Sequence, residues 1–465
     1  MRTSNIRAAI VFAVCLLTIA TPRFAAALET LQPGEKLTLE RAIELTLRNH
    51  PRGLEMKAQA TAANERVGEA RAALLPQVYS AAEYLRSTDN PIGNTTFLNP
   101  GFLPRITGTL HGAAANAAPS FSTSTTNNYV GGVAVQQYLF DFGRVRGLIE
   151  QRDEEAHAAL SQSQLMELDL IFEAAQRYFA LLAAGQKVRV YQKAIEQRSE
   201  QLHAAQVKAS ANLTPQIDVL TAQAALARAK TDLLEVSDER DIARVALNNT
   251  MAIDRNAPDY ELADVLTYQP VSGSLESFFT SAIASRPDLR ALEAEARAAG
   301  AQIKQARSDY FPSAGATAGY SAIGTGLPAA NNFNAGIVIT WPIFNGFSTQ
   351  HQVQEAKATQ NAIRYAIEDL EQRVWLDVKS SYLQLQTAVD RIHQAEATLA
   401  ASSGQLELAD KRYNAGLGNI IELTDAERFY IQDDAAYVDA LYAYSVAKAT
   451  LDRVTGASLQ SLASK

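Results

Sequence analysis

The side chains best spaced to act together are two acids, Glu422 and Asp425, in the run Ile421-Glu422-Leu423-Thr424-Asp425. Three residues apart on a helix, they share one face, and near a helix start either acid alone is favoured by the macrodipole. Asp218 occupies the matching place in the first half of the chain. Catalytic partners for these acids are missing. The six histidines, at 50, 111, 157, 203, 351 and 393, are scattered, and there is no HExxH, GxSxG or phosphate loop. The glycine-rich run from Ser321 to Gly326 reads as a loop between strands, where hairpin chemistry accounts for it. The one cysteine, Cys15, lies in an N-terminal targeting segment, so the mature chain has no disulfide, thiolate metal site or cysteine nucleophile. The sequence therefore reads as a non-enzyme without cofactor or metal.

The acids are positioned by long helices. From Val378 the residues Leu385, Ile392, Leu399, Leu406 and Tyr413 recur every seven positions, with Ala388, Ala395, Ser402 and Ala409 three further on. Leu423, Tyr430, Tyr437, Tyr444 and Leu451 repeat the interval on the return. Large residues beside small ones at this period form a coiled-coil seam. Between the two runs only Asn414 to Asn419 has turn chemistry, so the segment is a long antiparallel helical hairpin with its tip at 414–419. No proline falls between Gly143 and Thr214 or after Pro342. Each half can thus run one helix of nearly 70 residues, on the order of 100 Å long.

The chain is written twice. Thr38, Pro51, Arg71 and Pro76 match Ser274, Pro287, Arg307 and Pro312 at an offset of 236, and from Phe140 and Phe344 onward the offset is 204. The difference of 32 residues falls in an Asn/Gly/Ser/Thr-rich loop, roughly Ser87 to Asn128. Short alternating segments, apolar on one side, close each interval, as at Phe333, Ala335, Ile337, Ile339 and Trp341. The predicted organisation is a signal peptide over 1–27 and a first repeat over 28–251, with strands about 77–86 and 128–140 and a helical hairpin about 144–251. An inter-repeat linker over 252–272 follows. The second repeat spans 273–456, with strands about 313–321 and 333–343 and a hairpin about 347–456, before a tail over 457–465.

Charge and hydropathy narrow the setting. Without Arg2, Arg7 and Arg23 the chain carries 39 basic against 50 acidic residues, a net charge of −11, which argues against nucleic acid as a partner. Beyond the targeting segment no apolar run is long enough to span a bilayer as a helix. Entry into a membrane would have to be as β-strands, and four strands cannot close a barrel, so several chains would share one.

The sequence resembles the TolC-like outer-membrane efflux proteins over essentially all of the mature chain. The resemblance rests on the doubled layout, on Leu139-Phe-Asp-Phe-Gly-Arg144 and Pro342-Ile-Phe-Asn-Gly346, and on Arg412-Tyr-Asn-Ala-Gly-Leu417 before Glu422-Leu-Thr-Asp-Ala426. It implies a mixed α/β membrane protein, mostly α: a homotrimer whose chains each give four β-strands to a shared barrel of about 12 strands, with long coiled-coil helices forming a periplasmic α-barrel. It further implies a bacterial outer-membrane location, outer-membrane lipid, a periplasmic adaptor and an inner-membrane pump of the RND or ABC class. The expected task is export of small toxic compounds or drugs. The alternatives are the outer-membrane channel of type I protein secretion and a non-channel periplasmic coiled-coil adaptor or scaffold.

By the same resemblance Glu422 and Asp425 line the periplasmic aperture as stacked anionic rings, and Asp218 and Tyr413 belong to the network that closes it. Ala415, Gly416 and Leu417, with Asn212 and Leu213 in the first half, match the adaptor contact. The sequence departs from the pattern at Gly418, where a family arginine is expected, so closure is expected to be weaker or differently built. Tyr413 can equally be the last seam residue, and Gly416 a helix-capping glycine.

Overall fold

The computed structural model describes residues 31, 34–88, 125–211, 214–254, 259–325 and 330–457. The signal peptide, most of the 87–128 loop, Asn212, Leu213 and the end of the tail lie outside them.

Each repeat opens with two helices broken by a proline. Helix α1 (Leu39–Asn49) is capped by Thr38, whose Oγ1 accepts from the Arg41 amide at 3.2 Å. It stops at His50 because Pro51 starts α2 (Pro51–Ala72), where a missing N–H costs nothing. In the second repeat Ser274 and Ser277 cap α5 (Leu275–Ser285) reciprocally, and Pro287 starts α6 (Pro287–Ser308). The long helices follow: α3 (Arg144–Ser210) and α4 (Gln216–Met251), then α7 (Ser348–Asn414) and α8 (Ile420–Val454). Helices α3 and α7 each run 67 residues, consistent with the proline-free stretches that encode them.

The strands β2 (Gln77–Thr88), β3 (Thr125–Phe140), β5 (Ser313–Gly324) and β6 (Ala330–Thr340) form one antiparallel sheet in the order β2-β3-β5-β6. The pairing Val133↔Tyr320 joins the two repeats' hairpins edge to edge. Strand β6 ends at Thr340 rather than near 343, since Pro342 has no N–H to give a ladder. Ser321 to Gly324, read from sequence as loop, lie in β5, with Ser321 paired to Asn332 and Ile323 to Ala330. The two-residue strands β1 (Lys36–Leu37) and β4 (Glu261–Leu262) pair in parallel and are too short to leave a periodic signal.

The strand-to-helix corners use paired left-handed residues, Phe142 with Gly143 and Gly346 with Phe347. Asp141, buried at the first corner, accepts from the Gly143 and Val145 amides at 3.0 and 2.5 Å and so caps α3. Phe142 packs against Phe140 and Phe311 at the first corner and Phe344 against Phe347 at the second, all five substantially exposed.

The main core lies midway along the helices, where both repeats and the 259–273 linker meet. Tyr178, Leu247, Val374, Val378, Tyr444 and Leu451 are fully buried there. Tyr178 donates to the Leu37 carbonyl at 2.9 Å, and the Tyr444 hydroxyl donates to the Gln269 carbonyl. Tyr178 thereby ties β1 to α3, and Tyr444 ties the linker to α8. The seam read from sequence is the buried stripe of α7: Val378, Leu385, Ile392 and Tyr413 are buried, and Leu399 and Leu406 half-buried.

Candidate functional site

The α7–α8 tip is built by backbone hydrogen bonds around one arginine. Gly416, at φ 75°, takes the left-handed conformation that ends α7, so the amides of Leu417 and Gly418 both reach the Arg412 carbonyl, at 2.9 and 3.1 Å. This satisfies a carbonyl that a helix end would leave unpaired. Helix α8 begins with Asn419, whose Oδ1 accepts from the Glu422 amide at 2.8 Å. The Arg412 side chain then bends over the turn. Its Nη2 donates to the Leu417 carbonyl at 3.3 Å and its Nε lies 3.1 Å from Glu422 Oε1.

Gly418 gains its physical reason here. A Cβ on it would stand 3.2 Å from Arg412 Cβ and from the Tyr413 nitrogen, so a larger residue would push the turn apart by a few tenths of an ångström. A guanidinium is nevertheless present at the tip, six positions earlier at Arg412. Sequence reasoning missed Arg412 as a tip residue, although its place at the start of the Arg412–Leu417 motif was a usable signal.

Among the expected aperture residues, Glu422 and Asp425 project from the first turns of α8, both about half exposed, and Asp425 lies 3.4 Å from Arg428. Asp218 sits in the first turn of α4, with its amide donating to the Pro215 carbonyl at 3.1 Å. Tyr413 is buried, and its hydroxyl has no hydrogen-bond partner. Burial pushes its ionisation up, and the charge of Asp218 adds to the shift. Lys208, from the end of α3, lies 4.3 Å over the Tyr413 ring and donates to Asn414 Oδ1 at 3.4 Å. Ala415, Gly416 and Leu417 are exposed at the very end, Leu417 by 74%.

A second charged group was not foreseen. Glu427 lies one turn beyond Leu423 and is only 3% exposed. Arg198 of α3 is buried beside it, its Nε 3.8 Å from Glu427 Oε2, while its Nη1 donates to the Ala225 carbonyl at 2.9 Å. Burial pushes the Glu427 carboxyl up to about 7; Arg198 opposes the shift and Asp410 adds to it. A charged residue one turn along from a seam position was the available signal.

Among the described residues no helix is long and apolar enough to cross a membrane, and no group of His, Cys, Asp or Glu is placed to hold a metal ion. The family model described as "Outer membrane efflux protein" matches residues 42–252 and 279–457. The chain belongs to that family.

Outer membrane efflux protein BepC of Brucella suis is 22% identical over 78% of this chain and 79% of its own length. Cation efflux system protein CusC of Escherichia coli K12 is 25% identical over 72% and 74%. Toluene efflux pump outer membrane protein TtgC of Pseudomonas putida is 23% identical over 68% and 66%. A solved structure of CusC superposes with a TM-score of 0.71 at 20% identity, covering 93% of this chain and 96% of that one. VceC of Vibrio cholerae gives 0.70 at 18% identity, covering 90% and 96%. The protein thus has the TolC-like fold, mostly helical with a small strand portion, and is a bacterial outer-membrane efflux protein.

Proposed function

We propose that three copies of the chain form a single exit channel, their sheets closing one barrel in the outer membrane and their helices a tunnel through the periplasm. The reading is carried by the apolar surface that one copy leaves uncovered. Strand β6 exposes Phe333, Ile337 and Ile339, each by about 70%, and β2 exposes Val78 by 64%. Both are edge strands of the sheet, and an unpaired edge in lipid would cost several kcal/mol per backbone group. Trp341, 58% exposed at the second strand-to-helix corner, suits a membrane interface.

The helices carry the same argument. Helix α8 packs on α3 within the chain, burying Glu427 beside Arg198. Its counterpart α4 leaves Ile217, Leu220, Leu234, Ile242 and Val245 exposed, and α7 leaves Leu376, Leu383 and Leu408 exposed. Covering these with a neighbouring copy repeats the internal packing between subunits and closes the ring.

In that ring Glu422 and Asp425 line the aperture with Asp218, Tyr413 and Gly418 around it, and Ala415, Gly416 and Leu417 meet a periplasmic adaptor. An inner-membrane RND or ABC pump supplies the cargo, which we assign to small toxic compounds or drugs, in keeping with relatives named for toluene and cation efflux. Sedimentation of the detergent-purified protein tests the assembly: a trimer is expected, and a detergent-free soluble monomer overturns it. In planar bilayers Glu422→Ala with Asp425→Ala should alter conductance or cation block, because anionic rings concentrate cations. Unchanged values remove both acids from the pore.

A further inference from the structure

Two helix faces that correspond by the internal repeat differ in whether anything covers them. Helix α7 lies 204 positions beyond α3 at both ends, and α8 begins 204 positions beyond α4. On α8, Val438 is 5% exposed, and Ala449 is 1% exposed where it packs with Ile171 and Ala175 of α3. Their counterparts on α4, Leu234 and Val245, are 72% and 68% exposed. On α7, Leu376 and Leu383 are exposed where α3 has the half-buried Phe172 and Phe179. The open faces of α4 and α7 are thus the two halves of the contact that α8 and α3 make inside the chain.

Charge follows the same correspondence. Lys187 of α3 and Asp439 of α8 form an ion pair at 2.7 Å. The residues 204 positions away are Arg391 on α7 and Glu235 on α4, with the same signs on the corresponding helices. Both are exposed, and neither has an ion-pair partner among the described residues. The other charged contacts between α3 and α8 are not repeated: Arg198 and Glu427 correspond to Ser402 and Gln223, and Asp169 and Arg453 to Arg373 and Asn249. A second copy of this chain therefore matches the open face in both its apolar stripe and its one charge pair. We propose that Glu235 pairs with Arg391 of the partner subunit and fixes the register in which α4 of one copy lies on α7 of the next, an inference that rests on the shared channel proposed above. Apolar seams repeat every seven residues and can slide by a heptad. A slide of that size sets Glu235 against Gln384 or Thr398 and leaves both charges unmatched. An exposed pair adds little strength, so its effect is on which register and which partner are accepted.

Cysteine crosslinking of the full-length protein in detergent reads the register, since Cys15 is the only native cysteine. Lys187→Cys with Asp439→Cys calibrates the reach of a short bis-maleimide inside one chain. Glu235→Cys with Arg391→Cys should react at a comparable rate but between copies, giving linked dimers and trimers. Glu235→Cys with Gln405→Cys, about 21 Å out of register along α7, should stay unlinked. Charge exchange gives an independent reading. Glu235→Arg and Arg391→Glu should each shorten the half-life of the trimer in dodecyl sulfate about ten-fold, and the double variant should return it to within about two-fold of the unaltered protein. A trimer in which positions 235 and 391 fail to crosslink, or in which the single and double charge variants decay alike, overturns the register and leaves the shared channel standing. A protein that sediments as a monomer in detergent overturns both.

Discussion

The two hairpins of this chain share a register and differ in what their last basic residue does. At an offset of 204 residues Arg412 corresponds to Lys208, Glu422 to Asp218 and Glu427 to Gln223. Arg412 folds back on its own turn, holding the Leu417 carbonyl and Glu422. Lys208 instead reaches across to the other hairpin, over the Tyr413 ring and to Asn414. Gln223 is exposed on α4, whereas Glu427 is sealed against α3. One sequence pattern thus yields a self-contained tip and a tip that holds its neighbour. The difference arises because α8 has a partner helix within the chain and the equivalent face of α4 is left open.

The largest break in this comparison should come from pH acting on Glu427. Its carboxyl lies near 7 in the folded chain against an ordinary value of 4.5, so the unfolded state releases this proton more readily. Its contribution to stability is therefore highest below about 4.5, falls as pH rises towards 7, and is flat above, a change of up to about 3 kcal/mol. Urea unfolding followed by helical circular dichroism at pH 5 and pH 8 should show a loss of stability that Glu427→Gln reduces and Gln223→Ala leaves intact, the remainder belonging to Asp452, whose carboxyl burial pushes up to about 6. An identical loss in the Glu427 variant would show that the carboxyl is hydrated.

The tip glycines come next. Gly418→Val forces a branched side chain against the Arg412 and Tyr413 backbone and should cost about 1–3 kcal/mol. Gly416→Ala places a Cβ at φ 75° and should cost about 1–2 kcal/mol. Limited proteolysis of the purified protein reads both as faster cleavage near 412–420. Protection equal to that of the unaltered chain would mean that the turn is remade without Arg412 at its centre.

What the sequence disclosed depended on how far each signal extends along the chain. Long helices are legible because 67 residues without proline, with a seven-residue period, leave no other regular structure. The doubled layout is legible because prolines and capping hydroxyls punctuate both repeats at one offset. Contacts between elements distant in sequence were not legible. The joining of β3 to β5, the pairing of Lys36 with Glu261 and the burial of Glu427 beside Arg198 each bring together residues whose local sequence is silent about the partner. At the tip the residue types pointed to Gly418 as a departure. Only the turn geometry shows that Arg412 occupies the space an added side chain would need.

The helix starts test whether the second tip is the better closed. Asn419 caps α8 through its side chain, while α4 begins at Pro215 with no side-chain cap. Asn419→Ala should cost about 1 kcal/mol, and Pro215→Ala less, since only unfolded-state freedom changes. Hydrogen exchange at the first-turn amides should rise for Glu422 in the first variant and change little for Asp218 in the second. Equal increases would mean that the two tips are held in the same way.

The smallest effect should separate the two basic residues themselves. The Arg412–Glu422 pair is nearly half exposed on both sides, so Arg412→Gln should cost no more than about 0.5 kcal/mol and less in high salt. Lys208→Gln removes a cation from the Tyr413 face and a contact to Asn414, at a cost of similar size. Their structural readouts should nevertheless differ. Loss of Arg412 frees the Leu417 carbonyl and loosens one turn, whereas loss of Lys208 loosens the contact between hairpins. A cysteine pair placed across α3 and α7 near 208 and 414 should therefore crosslink more slowly with Lys208→Gln and at an unchanged rate with Arg412→Gln. Equal rates in all three proteins would remove Lys208 from the coupling between the tips.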